Sequence, residues 1–290
     1  MNKPKTLILT GAHPDDESFG VGGTLAQYAA AGYRVYYVCG TRGEVGEVAP
    51  EMLKGYNSIA DLRTHELECA AKVLGLTDVI YLGYRDSGMA GTPDNKHPNA
   101  LAAAPTEQVA ESIVKILREL KPEVVITSDP NGGYGHPDHI AIHQATVMAF
   151  DASGDPQKYP GVGPPFQPQK LYYHVFPHRF FKFMVRMWQL LGRDVHHMGR
   201  NKDIDFAAFV EPEFPVHCTI LLKKKSLETR NQAAACHASQ LGGGGGRRGG
   251  LMGLVNRIFG QRDCYTRVYP LVKGHVHEHD LFKGVKLFPP

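Results

Sequence analysis

The chain has 290 residues, 42% of them apolar and 21% charged, which allows a substantial core in one large α/β domain or two small ones. A formal net charge of +3, without a basic stripe carrying interleaved aromatics, argues against nucleic acid as a partner. No apolar run reaches the roughly 18 residues of a membrane-spanning helix, and the basic start leads into a short β-branched run unlike a signal peptide.

Leu7 to Thr10 reads as the first strand, and it runs into the turn Gly11-Ala12-His13-Pro14-Asp15-Asp16-Glu17-Ser18. A helix from about Gly22 to Ala31 ends at Gly32, and Tyr33 to Val38 is the second strand. A polar loop holding Arg42 and Glu44 follows, where a plain salt bridge and support of a site are both open readings. Leu62, Leu67, Ala70, Ala71 and Leu74 fall at helical spacing over Ala60 to Leu74, with Gly75 as the stop. Asp78 to Leu82 is the third strand, Thr106 to Leu120 a helix with Thr106 as its cap, and Val124 to Ser128 the fourth strand. The second turn, Gly135-His136-Pro137-Asp138-His139, opens a helix that runs to Phe150. Strand and helix alternating at this spacing predict right-handed βαβ units and a parallel sheet covered on both faces.

After Phe150 the pattern loosens. Ala152 to Pro168 is a Gly- and Pro-rich connection, Leu171 to Phe176 and His217 to Leu222 read as strands, and Phe180 to Leu191 and Lys223 to Gln240 as helices. The aromatic cluster Phe180, Phe181, Phe183 and Trp188 is expected in a core, and His196 and His197 at the surface. The glycine run Gly242 to Gly246, with Arg247 and Arg248, is expected to be a flexible loop or lid. His275, His277 and His279 alternate near the terminus and read as a solvated tail. The five cysteines, Cys39, Cys69, Cys218, Cys236 and Cys264, are odd in number and form no recognisable pair, which predicts reduced thiols in a cytoplasmic protein. One domain is expected over 1–290, with the core in 1–150 and substrate-side and capping elements in 151–290.

Two His-Pro-Asp turns at two strand ends are the materials of one metal site, because open parallel sheets bind ligands beyond the carboxyl ends of their strands. Alone, the first turn reads equally well as a tight turn with a helix cap. The second shifts the balance: His136 and His139 are three residues apart, so both can lean to one side at a helix start. Hydrolytic zinc sites use three His or carboxylate ligands and leave a position for water. His13, Asp16, His136 and His139 are the nearest donors, so one imidazole is left for another task. A dinucleotide site would need G-x-G-x-x-G in the first turn, which is absent, as are a P-loop and a G-x-S-x-G elbow.

Several blocks occur in order: Ala12-His13-Pro14-Asp15-Asp16-Glu17, Arg42-Gly43-Glu44, Leu62-Arg63 with Glu66, Tyr84-Arg85-Asp86-Ser87-Gly88-Met89, Gly133 to His139, and later Asn231, Gln232 and His237-Ala238-Ser239-Gln240. Together they resemble the PIG-L/LmbE-like de-N-acetylases, closely over residues 5 to 150, and the central blocks are most similar to the mycothiol-pathway deacetylases and amidases. The resemblance implies a Rossmann-like three-layer α/β sandwich with a mostly parallel sheet. It implies one zinc ion on His13, Asp16 and His139, with iron(II) suited to the same donors. Asp15 matches the general base, His136 the residue facing the leaving amine and the oxyanion, and Tyr134 a group that polarises the amide carbonyl. Arg63 and Asp86 match residues on sugar hydroxyls, and Asp138 is expected to orient His136. A homo-oligomer is also implied.

The expected activity is zinc-dependent removal of the N-acetyl group from an N-acetylglucosamine-containing small molecule. Zinc brings the pKa of a bound water toward ~7, a free carboxylate takes its proton, and an imidazole serves the amine. The alternatives are an amidase on mycothiol-type S-conjugates and a carbohydrate-binding protein without catalysis.

Overall fold

The computed structural model describes residues 4–175, 178–195, 213–241 and 261–286. In chain order the first half comprises β1 (Thr6–Gly11), the single turn α1 (Asp16–Phe19), α2 (Gly22–Ala30), β2 (Arg34–Cys39), α3 (Ile59–Leu74), β3 (Asp78–Tyr81), α4 (Thr106–Leu120) and β4 (Val124–Thr127). A glycine-rich turn, α5 (Gly132–Gly135), leads into α6 (Pro137–Ser153). Then come β5 (Lys170–Val175), α7 (His178–Leu190), β6 (Cys218–Leu221), α8 (Lys224–Cys236) and β7 (Arg262–Tyr269).

All seven strands form one sheet in the order β3-β2-β1-β4-β5-β7-β6. The neighbours from β3 to β5 pair in parallel, while β7 runs antiparallel to both β5 and β6. The class is α/β and mostly parallel, as expected. The antiparallel β7 had no counterpart in the sequence reading, because Arg262, Asp263 and Arg267 interrupt its apolar alternation; Asp263 is buried there and accepts from the backbone N and Oγ1 of Thr24 at 3.0 and 2.6 Å.

Alternation along β1 splits the core. Leu7 and Leu9 face a cluster with Leu25 of α2 and Leu67 of α3, while Ile8 faces Ile113 and Leu117 of α4 and Ile142 of α6. Strand order reverses about β1, whose chain successor β2 lies on one side and β4 on the other. The turns leaving β1 and β4 therefore meet at a topological switch point.

The helix limits follow local chemistry. Ser58 Oγ accepts Asp61 N at 3.1 Å at the start of α3, and Gly75 ends it at φ 75°, the left-handed stop that glycine adopts freely. α4 departs from expectation: Pro105 is its cap residue and Thr106 already lies inside.

α8 packs on α2 and α3 through Ala233 against Ala26, Ala70 and Leu74. That packing brings Cys69 and Cys236 together as a disulfide, with Cα atoms 5.8 Å apart across a sequence separation of 167. The expectation of five reduced thiols is thus corrected for this pair, whose partners only the tertiary fold brings together. Cys39, Cys218 and Cys264 are free and buried. In the tail, His275, His277 and His279 are exposed, but Glu278 between them is buried, held by Lys170, Tyr172 and Arg267. Trp188 is buried on α7 and Phe183 is exposed; the side chains of Phe180 and Phe181, and residues 196–197 and 242–250, lie outside the described residues. No described helix is long and apolar enough to cross a membrane.

Candidate active site

The first turn begins at Gly11, where a Cβ would stand 2.6 Å from the Tyr37 hydroxyl. That hydroxyl donates to the His13 carbonyl at 2.6 Å, so glycine lets the strand end pass beneath Tyr37. Asp16 Oδ2 accepts the backbone N–H groups of Ala12 and His13 at 2.8 and 3.0 Å, folding the turn back over its own start. Asp15 between them has φ 135°, a backbone region that costs a non-glycine residue about 1–3 kcal/mol. It is gripped on both sides: Glu17 Oε2 accepts its N–H at 3.0 Å, and Arg63 Nη2 donates to the Pro14 carbonyl and to Asp15 Oδ2 at 2.7 and 3.0 Å.

The second turn is built by glycines at φ 61°, 69° and 86° (Gly132, Gly133 and Gly135) on either side of Tyr134. Asp129 Oδ1 accepts from Asn131 N and Gly133 N and fixes the start of that path. His136 caps α6, its Nδ1 accepting the Asp138 N–H at 3.2 Å. With Nδ1 used as an acceptor, the neutral ring carries its proton on Nε2.

The turns converge. The His13 ring lies 4.6 Å from that of His136 and 5.2 Å from that of His139, and Tyr134 stands 5.9 and 5.7 Å from the same two rings. Among the described residues two donor groups form, His13-Asp16-His139 and His13-Asp86-His136-Asp138, each with ligand atoms within 4.8 Å of one another. In the second, the Asp138 carboxylate is wholly buried and occupied: Oδ2 accepts Ser87 N at 2.9 Å, Oδ1 accepts the Ser87 hydroxyl, and His13 Nε2 lies 3.1 Å from Oδ2. In the first, Asp16 Oδ1 is 3.4 Å from His139 Nε2, and both residues line a cavity of about 270 Å³ together with Asp15, Tyr134 and His174. Two imidazoles and a carboxylate fit zinc or iron(II), and Asp16 and His139 border the space a substrate would need.

Burial and charge set the protonation states. Burial would lower the His13 imidazole, but Asp138, Asp86 and Asp16 outweigh it and hold it well above its usual value. These carboxylates demand positive charge; a divalent cation supplies it as well as a proton does, and its binding must release that proton. Burial works against an ionised Asp16, yet His139, His13 and two backbone N–H groups bring it below the usual carboxylate range. Burial also lowers His139, and it brings His136 down to about 2, so the His136 imidazole is neutral. Asp15 goes the other way: burial raises it to about 6 against the opposing charge of Arg63. Burial keeps the Tyr134 phenol protonated.

All nine residues singled out from sequence are placed around this point, with two differences in their partners. The Asp138 carboxylate hydrogen-bonds to His13 and Ser87, and only its backbone N–H hydrogen-bonds to His136. Arg63 and Asp86 are only 3% and 4% exposed; Arg63 spends Nη2 on the first turn, and Asp86 Oδ1 accepts Gly88 N at 2.8 Å and stands 3.6 Å from His13 Nε2. Glu44 accepts the Asp86 N–H at 2.9 Å while Arg42 pairs with Asp61, so one of that loop pair supports the site and the other a helix. Sequence reasoning gave no role to Ser87, Glu17, His237 or His174. The first three stood inside the quoted blocks, and His174 is a polar residue in an apolar strand.

A family description, GlcNAc-PI de-N-acetylase (PIG-L), matches residues 8–150. A 1D-myo-inositol 2-acetamido-2-deoxy-alpha-D-glucopyranoside deacetylase of Acidothermus cellulolyticus is 37% identical, the match covering 97% of this chain and 95% of the relative. A protein of the same name from Geodermatophilus obscurus is 34% identical over 98% of this chain and 99% of its own. Among solved structures, the N,N'-diacetylchitobiose deacetylase of Pyrococcus horikoshii superposes with a TM-score of 0.61 at 20% identity, covering 92% of this chain and 84% of that one. The conserved protein TT1542 of Thermus thermophilus does so at 0.59 and 22% identity, over 94% and 98% of the two chains.

Proposed function

Because this chain belongs to the PIG-L family of de-N-acetylases, enzymes that hydrolyse amides, we propose that it removes the acetyl group from the 2-acetamido sugar of a glucosaminyl-inositol. The substrate class is that of the relatives matching nearly its whole length. The carrying observation is the donor group His13-Asp16-His139 at the cavity wall, with Asp15 beside it and outside it.

In this reading His13, Asp16 and His139 hold one divalent ion, zinc or iron(II). Such an ion supplies Lewis acidity, acidifying water and polarising the amide carbonyl. Asp15 Oδ2 is held by Arg63, which leaves Oδ1 to take the proton from the attacking water. The neutral His136, with its proton on Nε2, hydrogen-bonds to the developing oxyanion, and the proton that Asp15 takes from water passes to the departing amine. Tyr134 adds a phenolic donor from the cavity side. Arg63 and Asp86, matched to residues on sugar hydroxyls, here also brace the site, Arg63 on Asp15 and Asp86 beside His13. Asp138 holds His13 in orientation.

The test is release of free amine and acetate from glucosaminyl-inositol acetamide, set beside N-acetylglucosamine, chitobiose and a thiol-conjugated analogue, with metal content measured on the same preparations. The expected result is one divalent ion per chain, loss of turnover with chelator, recovery with zinc or ferrous iron, and preference for the inositol glycoside. Preference for the thiol conjugate would transfer the activity to S-conjugate amidases. Binding without turnover would make the chain a carbohydrate-binding protein, and undiminished turnover in His139→Ala would overturn the ligand assignment.

A further inference from the structure

The strained residue of the site is held from behind by a buried chain that ends on α8. Glu17 is fully buried; its Oε2 accepts the Asp15 N–H at 3.0 Å, and its Oε1 accepts the Ser18 hydroxyl at 2.5 Å and lies 2.7 Å from His237 Nε2. His237 is also fully buried, at the cap position just past α8. Its Nδ1 has no hydrogen-bond partner among the described residues, so the Glu17 contact is the polar use of this ring.

His237 is itself fixed by the helix that grips the other side of Asp15. Arg63, Glu66 and Cys69 follow one another at three-residue spacing on α3, so each is the helical neighbour of the next. Arg63 takes the Asp15 carboxylate, Glu66 accepts Ser239 N and Oγ at 2.7 and 2.6 Å, and Cys69 is bonded to Cys236. The last two contacts flank His237 in sequence. A buried ion pair is a weak source of stability, since well-packed apolar side chains would hold α8 as firmly. What an apolar pair would not give is a fixed carboxylate acceptor beneath the Asp15 N–H.

We propose that His237 is a positioning residue of the hydrolysis, acting through Glu17 to hold Asp15 in its positive-φ backbone, with the carboxylate facing the cavity and outside the metal-donor group. This rests on the reading of Asp15 as the base. Displacing a catalytic group by about an ångström costs on the order of 10²-fold in rate.

The experiment compares kcat, KM, bound metal and melting temperature for His237→Ala, His237→Gln and His237→Asn, each alone and with Asp15→Asn. His237→Ala is expected to lose kcat by roughly 10- to 100-fold, with KM and bound metal within about twofold. His237→Gln, whose amide reaches Glu17, is expected to recover most of the rate, and the shorter His237→Asn is not. With Asp15→Asn in place, His237→Ala should cost little more, because no base remains to be positioned. An unchanged kcat in His237→Ala, an equal fractional loss in both backgrounds, or bound metal falling in step with rate would each overturn the proposal. Should His237→Ala not fold, the Gln and Asn pair decides on the same terms, equal rates counting against it. Wild-type kcat in Asp15→Asn alone would instead show that the base reading had failed.

Discussion

His13-Pro14-Asp15 and His136-Pro137-Asp138 are the same tripeptide at the ends of neighbouring strands, and the protein uses them in opposite ways. In the first, His13 Nε2 is turned toward carboxylates and Asp15 sits at φ 135°, its side chain 17% exposed at the cavity. In the second, His136 caps a 17-residue helix, and Asp138, in the first turn of that helix, is sealed at 0% exposure. The backbone makes the difference. A helix following directly upon Pro137 turns Asp138 inward, where Ser87 saturates it, whereas Asp16 closes the first turn upon itself and leaves Asp15 outside any regular structure. In the proposed mechanism the first Asp does the chemistry, while the second holds His13.

The sharpest break of this comparison is to neutralise each Asp in turn. Asp15→Asn should lower kcat by roughly 10²- to 10⁴-fold, the range of a general base, while bound metal stays at the wild-type level in plasma emission measurements. Asp138→Asn should act the other way round, weakening metal affinity by about 10- to 100-fold, as loss of a ligand's supporting partner does. The loaded Asp138→Asn enzyme should keep most of its rate. If both variants lose rate alone, the two turns do not divide the work.

Next in size is the pH response. A base must be ionised to act, so kcat/KM should fall as acid protonates Asp15. Burial, against the opposing charge of Arg63, lifts that carboxyl to about 6, and a divalent charge nearby would pull it back, which places the acid limb between the ordinary carboxylate range and about 6. Arg63→Met removes one opposing charge and should move the limb to higher pH by about one unit, read from kcat/KM profiles at saturating metal. Asp138 has no base role in the proposed mechanism, so its substitution should leave the limb in place.

How much of this was legible in the sequence follows from where each partner comes from. Both turns, the strands beneath them and the four candidate donors His13, Asp16, His136 and His139 lie in continuous segments, and alternation with turn chemistry reveals them. The partner of Asp138 was not legible, because identical tripeptides carry no mark of the backbone they will adopt. Ser87, 51 residues away, decides it. The same holds for Cys69 with Cys236 and for Glu17 with His237, pairs made by α8 returning onto α3 and α1 after 167 and 220 residues. β7 was missed for a related reason: its charges are accommodated by Thr24 and Glu278, which only the closed sheet brings near.

The gentlest probe is Ser87→Ala. Ser87 stands to Asp138 as Glu17 stands to Asp15, each fixing its aspartate by a short contact from a neighbouring residue or loop. The substitution removes the hydroxyl on Oδ1 and keeps the backbone N–H on Oδ2 at 2.9 Å, so the carboxylate loses one of its two Ser87 anchors and remains buried. A hydrogen bond to a charged group contributes about 1.5–3 kcal/mol, but here the loss falls on the orientation of His13 and reaches the metal only at one remove. Affinity measured by competition with a chelator should therefore weaken by about three- to tenfold, less than in Asp138→Asn. The kcat of the fully loaded Ser87→Ala enzyme should stay within about twofold of wild type, since nothing that touches Asp15 has changed. A larger fall in kcat with metal affinity intact would put Asp138 in the rate-determining chemistry and erase the distinction between the two turns.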